Sequence, residues 1–355
     1  MVFLIFRARP SPAKGRVYDL QSRQRQGKFE RCAIEFFLML AWSDSDNTRG
    51  SALMTKPALL VHPPLGLFEA RLADYDVVHW PTDRKDVRAA VTIGHVGISN
   101  AMIDALPELG CIVCFGVGVD GIDLDYARKR GIAITHGRQI NHEDVADVAI
   151  GLIIARLRLF TEGERVLREG TWTPPLAVPP QKRLRGRKIG IVGMGAIGSA
   201  IAHRAEAFGM EIKWTGPRAK PGVKHAYEPD LLKLAEWCDI LAIAARGDKT
   251  TEKIVNADVI KAVGADGIIV NISRGSVIDE DAMIAALKSG TLGGAGLDVF
   301  VEEPTPPARW RDVPNTTLTP HLGGATREAL WEGSQNVMEN LRRFYAGEEL
   351  LTPLA

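Results

Sequence analysis

Lys188-Ile189-Gly190-Ile191-Val192-Gly193-Met194-Gly195-Ala196-Ile197-Gly198-Ser199 is the stretch whose reading decides the fold. An apolar run suited to a buried strand meets three glycines at G-x-G-x-x-G spacing. A helical pattern follows over 196–208, and a second apolar run over 210–215. Strand, glycine turn, helix and strand make one βαβ unit. Gly193 permits the tight turn, Gly195 lets a pyrophosphate approach the backbone, and Gly198 lets the helix pack on the strand. Amides and dipole at the helix start favour phosphate oxygens. Glycine turns of this spacing are common. The βαβ context is what marks Gly193, Gly195, Ala196, Ile197 and Gly198 as a dinucleotide loop.

The alternation continues on both sides. Downstream, a helix near 229–237 leads to strands at 240–244 and 267–271. A helix over 280–289 is capped by Asp279 and stopped by Gly290, and strands follow at 294–298 and 316–319. Upstream, strands read at 59–62, 77–79, 90–93, 112–115 and 132–135, with helices at 100–106 and 123–130. Asn141 offers a helix cap, after which Val145, Val148, Leu152, Ala155 and Leu159 recur at helical spacing. The proline-rich 172–180 reads as a crossing loop. A last helix over 327–346 puts Leu330, Val337, Leu341 and Phe344 on one face. The pattern predicts an α/β chain with two doubly wound parallel sheets.

Composition bounds the function. The 355 residues fit two α/β domains, and a net charge of +1 favours neither nucleic acid nor an anionic membrane. No run is long enough to span a bilayer, and no cluster has metal-ligand spacing. Four cysteines fit a reducing, cytoplasmic setting. Cys111 and Cys114 form a CxxC within an apolar run, where positions three apart on a strand face opposite ways. A redox pair is therefore not expected. The first fifty residues differ from the rest: nine Lys/Arg against five Asp/Glu give +4, and the remainder carries −3. Residues 1–53 read as a disordered or non-native extension, with a domain beginning near Met54.

The strand over 210–215 ends in Trp214-Thr215-Gly216-Pro217-Arg218-Ala219-Lys220, with no acid to bind the ribose 2′-hydroxyl of NADH. Arg218, with Lys220 beside it, suits a 2′-phosphate instead, so NADPH is expected in preference to NADH. Three further residues follow strand-like runs: Arg274 in Ser273-Arg274-Gly275, Glu303 in Glu302-Glu303-Pro304, and His321 in Pro320-His321-Leu322-Gly323-Gly324. Taken singly, each fits an ordinary surface role. Together at strand ends behind a nucleotide loop, they form an anion-binding cation, an imidazole and a carboxylate to tune it. That set suits hydride transfer to a keto acid.

These motifs, with Gly296-Leu297-Asp298-Val299-Phe300 and the 29-residue step from Arg274 to Glu303, resemble the D-isomer-specific 2-hydroxyacid dehydrogenase family over about 56–354. The resemblance implies a Rossmann coenzyme domain (141–324) inserted into a flavodoxin-like substrate domain (54–140 with 325–355). A cleft that closes by hinge motion would exclude water. His321 would be the proton donor, Glu303 its partner, and Arg274 the residue that binds the substrate carboxylate and polarises the carbonyl. Asp298 matches the position near the nicotinamide carboxamide, and Gly324 joins the coenzyme set. Val117 and Gly118, in Phe115-Gly116-Val117-Gly118-Val119-Asp120, match backbone donors to the carboxylate. A homodimer is also implied.

Within the family, Trp214-Thr215-Gly216 with Arg218 resembles NADPH-dependent glyoxylate/hydroxypyruvate reductases. The expectation is therefore reduction of a small 2-keto acid. The alternatives are a larger 2-keto acid, such as 2-ketogluconate or hydroxyphenylpyruvate, and a non-catalytic NAD(P)H-sensing protein of the same fold. The chain departs from the family pattern at Pro217, at His142, where threonine is frequent, and at Arg246, where a small or apolar residue is common.

Overall fold

The computed structural model describes residues 56–175 and 177–354, so the extension expected at 1–53 lies outside the described residues. The chain divides into two compact units. Asn141–Thr326 forms one; the described residues up to Ile140 form the other, together with those from Arg327 on.

The unit holding the first strands contains β1 (Ala58–His62), β2 (Asp76–Val78), β3 (Ala89–Ile93), β4 (Cys111–Phe115) and β5 (Ala133–Thr135). Their order is β2-β1-β3-β4-β5, all parallel, which is the flavodoxin-like arrangement. Parallel strands are covered on both faces, so they read as unbroken apolar runs. Leu59, Leu60, Val61, Ile112 and Val113 are accordingly fully buried. Two short helices, α1 (Asn100–Ala105) and α2 (Leu124–Lys129), start at side-chain caps. Ser99 Oγ accepts from the Met102 amide and Asp123 from the Tyr126 amide. Cys111 and Cys114 are free thiols, and burial pushes both up to about 12.

The second unit begins with α3 (His142–Leu157) and α4 (Phe160–Glu169). It continues through β6 (Lys188–Val192), α5 (Ala196–Ala207), β7 (Glu211–Thr215), β8 (Ala226–Tyr227), α6 (Leu231–Trp237) and β9 (Ile240–Ile243). Then come α7 (Ala257–Val263), β10 (Ile268–Asn271), α8 (Glu280–Ser289), β11 (Gly294–Leu297), α9 (Pro307–Trp310) and β12 (Thr316–Leu318). The sheet order is β12-β11-β10-β9-β6-β7-β8, again all parallel. Strand order reverses between β6 and β9, the switch point at which open α/β sheets bind ligands. One face of the sheet packs on α3 and α5 through Ala149, Ile153, Ile191 and Ile201. The other packs on α6, α7 and α8 through Leu234, Ile260, Ile269 and Met283.

A final helix, α10 (Arg327–Ala346), returns to the first unit and packs against β4. Its buried face contains Val337 and Leu341, as expected, but also Ala329, Gly333, Ser334, Asn336 and Asn340. Leu330 and Phe344 are only half-buried. Asn340, fully buried, accepts from the amides of Leu351 and Thr352 and donates to Asn336 O. That network seats the tail, where the Leu354 amide reaches Ile134 O of β5.

One local reading is corrected. Asn141 occupies the start of α3, yet its side chain makes no capping hydrogen bond. It lies instead against Gly324, where an added Cβ would stand 2.1 Å from Asn141 Nδ2.

Candidate active site

The glycine loop leaves β6 at the switch point, and each glycine has a distinct local reason. Gly193 has φ +95°, and a Cβ there would fall 2.7 Å from the Ala245 backbone beyond β9. At Gly198 a Cβ would meet Gly193 O at 2.0 Å, so the helix can approach the turn only without a side chain. Gly195 starts α5 with nothing within 4 Å of its would-be Cβ. An open approach beside the first amides of a 12-residue helix fits a pyrophosphate. Ala196 and Ile197 form that first turn.

At the end of β7, the Trp214 ring packs 4.7 Å from Tyr227, whose hydroxyl donates to Gly216 O. This pair frames the exit from the strand, after which Arg218 is exposed. Lys220, its expected companion, donates from Nζ to Met194 O at 2.8 Å and so ties this loop to the glycine loop.

Arg274, Glu303 and His321 all lie in turns beyond the carboxyl ends of neighbouring strands, on one edge of the sheet. Asn271 ends β10 and is buried. It accepts from the Ser273 amide and donates from Nδ2 to Arg274 O at 2.9 Å, shaping the turn that carries the arginine. Ser273 Oγ donates to Ala245 O, and Arg274 packs its stem against Gly247. Gly275 then abuts the next turn, because a Cβ there would stand 1.9 Å from the Phe300 carbonyl carbon.

That next turn carries Glu303. Its Oε1 accepts from the Phe300 amide, closing the turn on itself, and its Oε2 meets His321 Nδ1 at 2.6 Å. Glu280, buried on α8, accepts from the Val301 amide and holds the Arg309 guanidinium. His321 stands in the left-handed region at φ +50°, a conformation costing an L-residue about 1–2 kcal/mol. Its amide donates to Asp298 O at 2.7 Å. The Asp298 carboxylate, 2% exposed, accepts from Thr319 Oγ1, the Leu322 amide and the Gly323 amide. Glu303 and His321 are thus in direct contact, and Arg274 is coupled to them through Gly275.

In the other unit, Val117 is exposed and Gly118 packs against Gly94, where a Cβ would meet Gly118 O at 1.9 Å. His136 Nδ1 pairs with Val117 O at 3.1 Å. Among the described residues no group of three His, Cys, Asp or Glu could hold a metal ion, and no helix is long and apolar enough to cross a membrane.

Comparison with known proteins gives the family. The model of the D-isomer specific 2-hydroxyacid dehydrogenase NAD binding domain matches residues 150–323. The 2-ketogluconate reductase of Gluconobacter oxydans is 37% identical over 310 residues, covering 85% of this chain and 100% of that protein. The chain belongs to the D-isomer specific 2-hydroxyacid dehydrogenase family. Glyoxylate/hydroxypyruvate reductase A of Arabidopsis thaliana is 40% identical over 273 residues, covering 77% of this chain and 87% of that one. The NADPH-dependent glyoxylate/hydroxypyruvate reductase of Sinorhizobium meliloti, solved with NADP and malonate, superposes with a TM-score of 0.79 at 37% identity. It covers 85% of this chain and 97% of that one.

The structure of this 2-hydroxyacid dehydrogenase adds residues that sequence reasoning missed. Asn271, Glu280 and Thr319 carry no motif; they are ordinary polar residues until the fold places them. Gly275 had a signal in the Arg274-Gly275 doublet. Asp298 was expected beside the nicotinamide, and the structure engages its carboxylate with the turn that holds His321.

Proposed function

We propose that this dehydrogenase reduces small 2-keto acids such as glyoxylate and hydroxypyruvate, with NADPH preferred over NADH. The observation that carries the reading is the 2.6 Å contact between His321 Nδ1 and Glu303 Oε2 at the edge of a nucleotide-binding sheet. With Nδ1 on Glu303, Nε2 is proposed as the nitrogen that meets the substrate. The bound nicotinamide supplies a hydride to the carbonyl carbon. His321 gives its Nε2 proton to the carbonyl oxygen, and the product is a 2-hydroxy acid. Glu303, in contact with Nδ1, holds the ring's orientation and sets which nitrogen is turned to the substrate. Arg274 holds the substrate carboxylate with its permanent charge and draws electron density from the carbonyl.

The Val117 and Gly118 amides are proposed as further donors to the carboxylate. Among the described residues neither donates to a protein acceptor. Gly193, Gly195, Ala196, Ile197 and Gly198 hold the pyrophosphate, and Asp298 and Gly324 belong to the nicotinamide side. The NADPH preference is supported by Arg218, by the acid-free end of β7, and by the NADPH-dependent relative from S. meliloti. A homodimer is supported by the exposed Phe160, Leu167 and Trp172. A reducing cytoplasm is supported by the free thiols of Cys111, Cys114 and Cys238.

A second reading, a larger substrate such as 2-ketogluconate, is favoured by the full-length match to the G. oxydans reductase. One panel tests all of this: oxidation of NADPH and NADH with glyoxylate, hydroxypyruvate, 2-ketogluconate and hydroxyphenylpyruvate. The proposal expects fastest turnover with the two small acids and NADPH. Tight coenzyme binding without turnover of any acid would mark a sensor and overturn it.

A further inference from the structure

We infer that Asp298 is the positioning residue for His321, acting through the turn Thr319–Gly323. The inference deepens the proposed reading and rests on His321 being the proton donor. Three donors converge on one buried carboxylate: Thr319 Oγ1 at 2.6 Å and the Leu322 amide at 2.9 Å on Oδ1, and the Gly323 amide at 2.8 Å on Oδ2. A fourth bond runs through the backbone, from the His321 amide to Asp298 O at 2.7 Å. The residues before and after the histidine are therefore fixed to one side chain.

The turn needs such fixing. His321 has φ +50°, a conformation that L-residues adopt only when the surroundings impose it. Glycine at 323 is part of the same device, since a Cβ there would press within 2.8 Å of Asp298 Oδ2. Charge supplies the strength, because an ionised acceptor makes hydrogen bonds roughly twice as strong as a neutral one. Asp298 itself stands at the end of β11, where its amide donates to Asn271 O at 3.0 Å. Asn271 shapes the Arg274 turn, so the two buried side chains place the proton donor and the anion-binding cation from the ends of two neighbouring strands.

The role adds to the contact proposed with the nicotinamide, and a double variant separates the two. Asp298→Asn keeps the shape but sets an amide NH2 against at least one backbone donor, which releases part of the turn. Misplacing an imidazole by an ångström costs on the order of 100-fold in rate, so kcat with NADPH and glyoxylate should fall by about that factor. Thr319→Val, outside the proposed coenzyme set, removes only the hydroxyl that Asp298 accepts and should give a smaller loss in kcat, with the Kd for NADPH, measured by fluorescence titration, at the wild-type value. It carries the test if Asp298→Asn does not fold.

The deciding arm is the double variant with His321→Gln. If Asp298 acts through the imidazole, Asp298→Asn adds no further loss once the imidazole is gone. Additive losses, or weakened NADPH binding in Thr319→Val, would overturn the inference. Wild-type turnover in His321→Gln alone would instead refute His321 as proton donor, an outcome distinguishable from the first two.

Discussion

Replacing Gly275 by alanine attacks the joint between the arginine turn and the glutamate turn without touching either charged group. The new methyl would lie 1.9 Å from the Phe300 carbonyl carbon and 2.2 Å from both Phe300 O and the Val301 amide nitrogen. Ordinary contact begins at 3.4 Å, so the backbones must separate by 1.5 Å (3.4 − 1.9). The obstacle is backbone, and it is pinned by Glu303 and Glu280 through the Phe300 and Val301 amides. Overpacking of this kind costs about 1–3 kcal/mol of stability. The displacement also moves Glu303, and with it His321, relative to Arg274. A 1 Å error in such geometry costs on the order of 100-fold in rate.

The assay pairs kcat/KM for glyoxylate and NADPH with urea unfolding of the same variant. Both quantities should fall, while the Kd for NADPH changes little, because the glycine loop lies beyond β6 and not at this joint. Wild-type kcat/KM together with lowered stability would show that the two turns tolerate separation. That result would refute the claim that Gly275 couples Arg274 to the Glu303–His321 pair.

Three further outcomes follow from the same geometry. Gly195→Ala should leave stability unchanged, since the position has φ −84° and open space for a Cβ, yet weaken NADPH and NADH alike by occupying the phosphate approach; unchanged affinity in titration would contradict the loop assignment. Arg218→Ala should weaken NADPH by about 1.5–3 kcal/mol, the worth of a charged hydrogen bond, and NADH hardly at all; equal losses would remove Arg218 from the 2′-phosphate. Cys111, Cys114 and Cys238, each pushed up by burial from 9.0 to about 12, should resist alkylation in the folded protein and react on unfolding. Because the folded state holds these protons more tightly, stability is complete below 9.0 and declines as pH rises from there toward about 12. Rapid labelling of the native protein would contradict their burial.

Much of this architecture was legible in the sequence because parallel strands are buried on both faces. Leu59-Leu60-Val61 and Ile240-Leu241-Ala242-Ile243 could hardly be anything else. The glycine loop was equally plain, since its three glycines answer to three separate steric demands. Less regular elements escaped. Helix α4 buries only Val166 and has few apolar residues to mark it, and β8 is two residues long. The apolar stripe drawn for α10 missed most of its true face, which uses Gly333, Ser334, Asn336 and Asn340 to approach its neighbours and bind the tail. Asn141 shows the opposite error: a residue of capping type at a helix start that packs against Gly324 instead.

The site divides the same way. The types Arg274, Glu303 and His321 suggested a chemistry, and the fold brings Glu303 and His321 into contact. What aims them was silent, because Asn271, Glu280 and Asp298 gain meaning only from the amides that the fold brings to them. The left-handed backbone at His321 left only a weak trace in sequence, since histidine is merely enriched in that region and the surrounding turn imposes it.

The central claim is that His321 supplies the proton as hydride reaches a 2-keto acid. Single-turnover oxidation of NADPH by glyoxylate in His321→Ala tests it most directly. The account predicts a loss of orders of magnitude in the rate of NADPH oxidation, with NADPH still bound at wild-type affinity. Oxidation at the wild-type rate would contradict it.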